Sequence, residues 1–200
     1  MVVTDAQIRS APSKGAETRA TILDRAIDLA SVEGLEGLTI GRLAADLEMS
    51  KSGLFAHFGS KQDLQLAAVE AAARRFRGAV IEPAMDASDG APRLRALADC
   101  YLAHLASDPY PGGCFWAATS AEYDDRPGPV RDAIAAALEA WLGELERQAR
   151  IAGAAKPDRL AFELYAVVMG ANSRYRLSGD RAAFSHARAI VDRLLGELPG

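Results

Sequence analysis

Apolar residues recur every three or four positions along most of this 200-residue chain, which is the spacing of amphipathic helices. The first clear stretch begins at Glu17 and is stopped by Gly34. The alternation of apolar and polar residues that is typical of strands does not occur in the sequence. Alanine is abundant, whereas β-branched and aromatic runs are scarce, and this composition also favours helices. The pattern therefore predicts an all-α fold of about nine helices.

Two short helices with a tight turn between them are predicted over residues 39–58. Thr39 suits the N-cap of the first and Ser50 that of the second, because their side-chain oxygens can accept a free backbone N–H. The turn falls at Glu48–Met49, and the small residue Ala44 lies where the helices would cross. This arrangement is a helix-turn-helix, in which the second helix enters the major groove of DNA and the first crosses the backbone.

The remaining helices are separated by segments that contain Gly and Pro. Ser60 is a suitable N-cap for a fourth helix, which is expected to end near Ile81 because Pro83 would break it. Turn-forming segments divide the rest of the chain into five further helices. These are expected near 91–107, 113–123, 128–152, 157–178 and 180–197.

The net charge of −4 does not by itself indicate nucleic-acid binding. Residues 1–61 carry seven Lys and Arg against eight Asp and Glu, so this segment has a net charge of −1. Binding to DNA phosphates depends on local positive charge. If the helix-turn-helix binds DNA, its positive charge must be concentrated on one face.

No apolar run reaches the 18 or so residues of a membrane span, so no membrane partner is predicted. Residues 1–16 are polar, lack the apolar core of a signal peptide and are predicted to form a disordered arm. The protein is therefore expected in the cytoplasm. Cys100 and Cys114 belong to no CxxC or Cys/His cluster, and in a reducing compartment they are expected to be buried thiols.

Three consecutive motifs give the chain a resemblance to a known family. They are TIGRLA at 39–44, SKSGLFAHF at 50–58 and GSKQDL at 59–64. In this order and spacing they resemble the tetracycline-repressor (TetR) family of bacterial regulators. The resemblance implies a helix-turn-helix DNA-binding domain at 17–62 and a helical ligand-binding and dimerisation domain at 63–200.

The resemblance also implies which residues contact double-stranded operator DNA. Thr39 and Lys61 begin helices, where backbone N–H groups and the helix dipole favour a phosphate. The first turn of the second helix of the motif is expected to approach base edges, and His57 to touch a phosphate. The full predicted set is Thr39, Arg42, Ser50, Lys51, Ser52, Gly53, Phe55, His57 and Lys61.

Two residues depart from the family pattern. Phe55 occupies a position often held by Tyr, so a phosphate hydrogen bond is replaced by a possible contact with a thymine methyl group. Glu48 occupies a turn position where Gly or Asn is common, and a positive φ there would carry modest strain.

Aromatic and small residues in the second half of the chain could enclose a small-molecule effector. The candidate lining residues are Cys100, Tyr101, His104, Phe115, Trp116, Tyr123, Trp141, Phe162, Tyr165, Met169 and Asn172. Their apolar character predicts a hydrophobic or aromatic effector. The alternative is that these side chains only fill the core.

The last two predicted helices, 157–178 and 180–197, carry apolar stripes wide enough to pack on their own domain and on a second copy. A homodimer through these helices would place two recognition helices one turn of DNA apart and predicts a palindromic operator. The expected mechanism is a repressor that its effector releases from DNA.

Two other functions compete with this interpretation. A helical enzyme has little support, because His57, His104 and His186 lie in separate elements and no HExxH, G-x-S-x-G or phosphate-loop motif occurs. No catalytic residue, metal ligand or cofactor is therefore predicted. A thiol-based redox regulator that uses Cys100 and Cys114 remains the alternative to a small-molecule sensor.

Overall fold

The computed structural model describes residues 14–199, which form nine helices and no strand. The helices are α1 (Lys14–Gly37), α2 (Ile40–Asp46), α3 (Lys51–Phe58), α4 (Lys61–Phe76 with an extension to Ala84), α5 (Ala91–Ala106), α6 (Phe115–Glu122), α7 (Pro129–Ile151), α8 (Pro157–Ser178) and α9 (Ala182–Gly196). The predicted all-α fold is confirmed. Residues 14–16 of the predicted disordered arm belong to α1, and residues 1–13 lie outside the described residues.

The three predicted N-caps are confirmed. The hydroxyl of Thr39 accepts the N–H of Arg42 at 3.1 Å, and the hydroxyl of Ser50 accepts that of Gly53 at 3.1 Å. Ser60 caps α4 in the same way through an N–H three residues later, at 3.0 Å. Each cap satisfies one of the N–H groups that a helix start leaves without an intrahelical partner. The sequence therefore predicts the starts of α2, α3 and α4 to the residue.

The turn between α2 and α3 contains the positive φ that the sequence analysis considered for Glu48. Glu48 has a φ of +54°, in the left-handed region that non-glycine residues rarely adopt. Leu43 and Ala44 of α2 and Leu54 and Phe58 of α3 are buried and hold the two helices against α1 and α4. Packing of these apolar side chains offsets the strain at the turn.

Helix α4 does not end at Ile81, which corrects the sequence prediction. After Phe76 it continues as a π-helix over Arg77–Ile81 and then as a further turn over Glu82–Ala84. The N–H of Glu82 donates to the carbonyl of Arg77, five residues earlier. Pro83 stands in the first turn of the closing segment, where its missing N–H costs little. The proline therefore follows a change of helix type and does not break the helix.

Two buried clusters divide the molecule. The first joins α1, α2, α3 and the first half of α4 with residues around α6 and the start of α7, such as Phe115 and Val130. The second joins the end of α4 with α5, α7, α8 and α9. Helix α4 contributes to both clusters. The side chains that support the helix-turn-helix therefore extend well beyond residue 62, the predicted domain boundary.

The loop before α6 lies directly against α1. The backbone N–H of Gly112 donates to the hydroxyl of Ser31 at 3.0 Å, and a Cβ at Gly112 would overlap the carbonyl of Ser31. Next to this contact the guanidinium of Arg75 on α4 lies over the ring of Tyr110 and donates to the carbonyl of Pro109 at 2.8 Å. Glycine at 112 permits the approach of two backbones that positions α1 on the rest of the fold.

We predict that Gly112→Ala destabilises the protein by about 2 kcal/mol or more, because a methyl group at this position must displace the backbone of α1. The matched control is Gly143→Ala on α7, where an added Cβ meets nothing within 4 Å and helix propensity improves by up to about 1 kcal/mol. Urea unfolding of both variants measures the difference. Equal stability of the two variants would show that the Gly112 contact is not a constraint.

Candidate DNA-contacting helix and ligand cavity

Helix α3 has one face in the core and one face in solvent. Leu54 and Phe58 are buried, whereas Lys51 and Ser52 are exposed and the ring of Phe55 is 54% exposed. The outer face of α3 thus carries the side chains that the motif assigns to base edges.

Gly53 has a role inside the protein that the sequence did not suggest. A Cβ at this position would lie 3.0 Å from the hydroxyl of Ser50, which caps α3. Glycine therefore leaves room for the cap, in addition to any close approach to DNA. The hydroxyls of Thr39 and Ser50 are both occupied as caps, and Ser52 lies 3.3 Å from Ser50.

The cations predicted to meet DNA differ in how they are paired within the protein. Arg42 forms ion pairs with Glu33 at 2.7 Å and Asp46 at 3.6 Å. Lys61 forms an ion pair with Glu36 at 2.5 Å. Lys51 has no ion pair with any residue in the range 14–199. Arg42 and Lys61 are therefore neutralised by carboxylates, whereas the ammonium of Lys51 has no carboxylate partner among residues 14–199.

Gly34 interrupts α1 and creates a second helix start within it. Its φ of +78° and ψ of 163° are not helical, which agrees with the predicted stop. The two following N–H groups, of Leu35 and Glu36, donate to the carboxylate of Glu122 at 2.7 and 2.8 Å. A Cβ at Gly34 would lie 2.6 Å from this carboxylate. A side chain at the end of α6 therefore caps the last turn of α1, where a negative charge is favoured.

Further hydrogen bonds surround this cap. The amide of Gln65 donates to the carbonyl of Leu35 at 2.6 Å and lies 3.2 Å from the hydroxyl of Tyr123. That hydroxyl donates to Glu36 at 3.3 Å. We call the set the α1–α6 junction, and its members are Gly34, Leu35, Glu36, Lys61, Gln65, Glu122 and Tyr123.

The pKa shifts of Tyr123 and Glu36 agree with the directions of the hydrogen bonds in the α1–α6 junction. Burial, together with the negative charges of Glu36 and Glu122, raises the pKa of Tyr123 to about 12, so its hydroxyl keeps its proton and donates. The hydrogen bond and charge of Lys61 lower the pKa of Glu36, which remains an acceptor. The donors and acceptors of the junction are therefore fixed near neutral pH.

A cavity of about 380 Å³ lies among α4, α5, α6, α7 and α8. Four of the predicted ligand residues line it: Tyr101, Trp116, Trp141 and Tyr165. The other lining residues are Ala73, Phe76, Arg77, Ile81, Met85, Arg93, Ser120, Ala137, Leu138, Ala140, Glu144 and Arg147. The lining is therefore mainly apolar, with five aromatic rings and four charged side chains.

The other seven predicted ligand residues do not line this cavity, which corrects their expected placement. Phe115 and Tyr123 are buried in the first cluster, and the ring of Phe162 is 63% exposed on the outer side of α8. Cys100 and Met169 pack against the second buried cluster. The ring of His104 lies near that of Phe76, and Asn172 is buried. Residue type suggested an interior position for them, but the direction of each side chain depends on helix packing.

The twelve lining residues that the sequence did not predict include all four charged ones and two residues of the π-helical part of α4, Arg77 and Ile81. Ala137, Trp141 and Glu144 share one face of α7 at positions i, i+4 and i+7, and this spacing was the available signal. Nothing in the local sequence indicated Arg77 or Arg93, because an arginine on an amphipathic helix is normally solvated.

The two cysteines differ in their surroundings. Cys114 is buried, and its Sγ lies 3.6 Å from the hydroxyl of Tyr101. Cys100 is half-buried, and burial raises the pKa of its thiol. A raised pKa reduces the thiolate fraction on which cysteine reactivity depends.

Comparison with known proteins agrees with this geometry. Residues 22–68 match the family described as "Bacterial regulatory proteins, tetR family", and residues 90–191 match "Tetracyclin repressor-like, C-terminal domain". The second match covers half of the chain. The chain belongs to the TetR family. It is thus a transcriptional regulator with a DNA-binding helix-turn-helix, and the resemblance noted in the sequence is confirmed.

Solved structures of TetR regulators have the same fold. The chain is similar to a TetR transcriptional regulator from Chloroflexus aurantiacus J-10-FL, with 25% identity, a TM-score of 0.84 and coverage of 92% of this chain and 96% of that one. It is also similar to SCO4454 from Streptomyces coelicolor, with 23% identity, a TM-score of 0.80 and coverage of 94% and 91%.

A third similar structure is AibR in complex with isovaleryl coenzyme A and operator DNA, with 22% identity, a TM-score of 0.72 and coverage of 88% and 98%. No curated protein matches the chain significantly. Within residues 14–199 no helix is long and apolar enough to cross a membrane.

We predict that Glu122→Ala speeds amide hydrogen exchange at Leu35 and Glu36 and lowers the free energy of unfolding by about 1–3 kcal/mol, because it removes the acceptor of both N–H groups. Glu139→Ala, at an exposed position on α7, is the control and should leave both measurements unchanged. Exchange is followed residue by residue by NMR. Unaltered exchange at 35 and 36 in Glu122→Ala would contradict the capping role.

Proposed function

We propose that this TetR-family protein is a homodimeric repressor that binds palindromic operator DNA and is released by a small-molecule effector. The observation that carries the proposal is the outer face of α3, where a Ser50-capped helix start presents Lys51, Ser52 and Phe55 to solvent. Helices of this kind insert their first turns into the major groove. Leu54 and Phe58 on the opposite face are buried and keep the orientation of α3 fixed.

The DNA contacts follow from the exposed positions. Lys51 contacts a guanine edge or a phosphate, and Phe55 packs on a thymine methyl group. His57, Arg42 and Lys61 contact phosphates, the last two by exchanging Glu33 or Glu36 for the DNA. Because these exchanges cost two ion pairs, Lys51 and Phe55 are expected to contribute most to affinity.

The outer faces of α8 and α9 support a homodimer. Exposed apolar or small residues follow one another at helical spacing on α8 and again on α9. They are Phe162, Ala166, Gly170 and Leu177, and Ala182, Ala189 and Ile190. Small residues allow close approach of helices, and the exposed ring of Phe162 is an apolar anchor of the kind that dominates interfaces. A two-fold axis would pair each stripe with its copy.

Helix α6 provides a physical connection between effector and DNA. Trp116 and Ser120 line the cavity, and Glu122 at the end of the same helix caps the last turn of α1. A ligand that displaces α6 therefore acts on the α1–α6 junction and on the orientation of α2 and α3. It releases DNA only to the extent that it prefers the conformation that does not bind DNA.

The AibR structure supports the same combination of partners, since one protein of this fold holds both operator DNA and a small-molecule ligand. We infer a regulatory and not an enzymatic role from the family. Because operator DNA is in the cytoplasm, the proposal includes action in that compartment. The thiol-sensor alternative has less support, because Cys114 is buried and the pKa of Cys100 is raised.

We predict that Lys51→Ala and Phe55→Ala each weaken operator binding about tenfold. The operator is first selected from fragments of the source genome with the purified full chain, and affinities are then measured by fluorescence anisotropy. If Lys51 contacts a phosphate, its replacement also reduces the slope of log affinity against log salt by about one.

The control for this experiment is Lys156→Ala, which removes the same charge from an exposed position before α8. Its operator affinity should match that of the unmodified protein. If the α3 variants bind as tightly as this control, α3 is not the DNA-contacting helix. If no genomic fragment is retained, the proposed function itself fails.

We predict that Phe162→Glu converts the dimer into monomers in sedimentation velocity experiments, with a loss of about 2 kcal/mol or more of association free energy. Val32→Glu is the matched control, because both side chains are 63% exposed but Val32 lies on α1. The control should remain dimeric. A Phe162→Glu protein that sediments as a dimer would rule out this interface.

A further inference from the structure

Three of the four charged side chains that line the cavity belong to one group of ion pairs. Arg147 pairs with Glu144 at 2.9 Å and lies 3.8 Å from Asp89, which is also 3.5 Å from Arg93. Arg93 further donates to the carbonyls of Ala87 and Met85 beside the cavity. These contacts place the charged groups where α7 meets the segment between α4 and α5.

The lining also contains a group of aromatic rings in contact with one another. The centroid of the Phe76 ring lies 4.8 Å from that of Tyr101 and 5.2 Å from that of Trp141, and both pairs are edge to face. The distance between the ring centroids of Phe76 and Trp116 is 6.5 Å. Such rings provide a large apolar surface with defined orientations. A ligand that fills this cavity therefore meets both aromatic rings and charged groups.

The charges that line the cavity are not balanced. They comprise three guanidinium groups, of Arg77, Arg93 and Arg147, and the single carboxylate of Glu144. Arg93 and Arg147 have carboxylate partners, whereas the side chain of Arg77 has neither an ion pair nor a hydrogen bond with any residue between 14 and 199. A cation without a partner at the edge of an apolar cavity favours an anionic group on the ligand.

We propose that the effector is an amphipathic organic anion: a carboxylate joined to an aromatic or branched hydrocarbon body. The body occupies the space between Phe76, Trp116 and Trp141, and the carboxylate pairs with Arg77. The cavity volume of about 380 Å³ lies in the range of small-molecule sites. This inference rests on the proposed ligand-responsive function and narrows the predicted hydrophobic or aromatic effector to an acid.

Three probes with one hydrocarbon body test the charge requirement: phenylbutyrate, phenylbutanol and phenylbutylamine. They are titrated into the full-length protein without DNA by calorimetry and by tryptophan fluorescence. Both tryptophans of the chain line the cavity, so quenching reports binding there. We expect the anion to bind about tenfold more tightly than the alcohol, and the amine to bind most weakly.

Variants identify the group responsible. Arg77→Gln should reduce phenylbutyrate affinity about tenfold and leave phenylbutanol affinity within about a factor of two. Arg74→Gln, three residues earlier on α4 and outside the cavity lining, is the matched control and should change neither. Ala137→Phe, which places a ring in the cavity, should abolish binding of all three probes.

Equal affinity for the three probes, an equal effect of Arg77→Gln on all of them, or no binding of any probe would overturn the proposal. These outcomes are separate from a failure of the proposed function, because the operator measurements use the protein without ligand. A protein that binds its operator but shows no preference for the anion remains a regulator with a different effector class. One that prefers the anion but retains no genomic DNA contradicts only the repressor assignment.

Discussion

The carboxylate of Glu122 lies against the two backbone N–H groups that follow Gly34, and the positions of the two functional regions depend on this contact. It requires glycine at 34, both for the positive φ and for space beside the carboxylate. It turns the end of α1 so that the carbonyl of Leu35 meets Gln65 of α4. Because Glu122 belongs to α6, the helices that support α3 and the helices that enclose the cavity share one polar contact.

A second contact between these regions is the hydrogen bond from the N–H of Gly112 to the hydroxyl of Ser31 of α1. Gly112 lies in the loop before α6, at the opposite end of that helix from Glu122. Helix α6 is only eight residues long and is held by α1 at both ends while its side chains reach the cavity. A short helix with few alternative positions transmits displacement well, because packed interfaces change between discrete arrangements and do not deform continuously. The cavity and the DNA-contacting helix are thereby connected without a long chain of intermediates.

The cations around α3 differ in whether carboxylates neutralise them within the protein. A protein with a net charge of −4 must limit its positive field to the surface that meets DNA. Glu33 and Glu36 neutralise Arg42 and Lys61 in the present conformation, while Lys51 on α3 stays unpaired within the described residues. In the proposed complex, Arg42 and Lys61 exchange these carboxylates for DNA phosphates. Glu36, the partner of Lys61, also accepts the hydroxyl of Tyr123, so under this proposal the Lys61–Glu36 ion pair links the DNA contact to the α1–α6 junction.

By itself the sequence determined the helices, their caps and the helix-turn-helix, because hydroxyl caps, glycine stops and apolar spacing act within a few residues of one another. It also indicated four of the aromatic residues that line the cavity, since ring size favours interior positions. Only the tertiary structure decided that Tyr123 belongs to the α1–α6 junction, that Phe162 points outward and that Arg77 and Glu144 line the cavity. These positions depend on how helices far apart in the chain pack together, and local spacing does not encode that geometry.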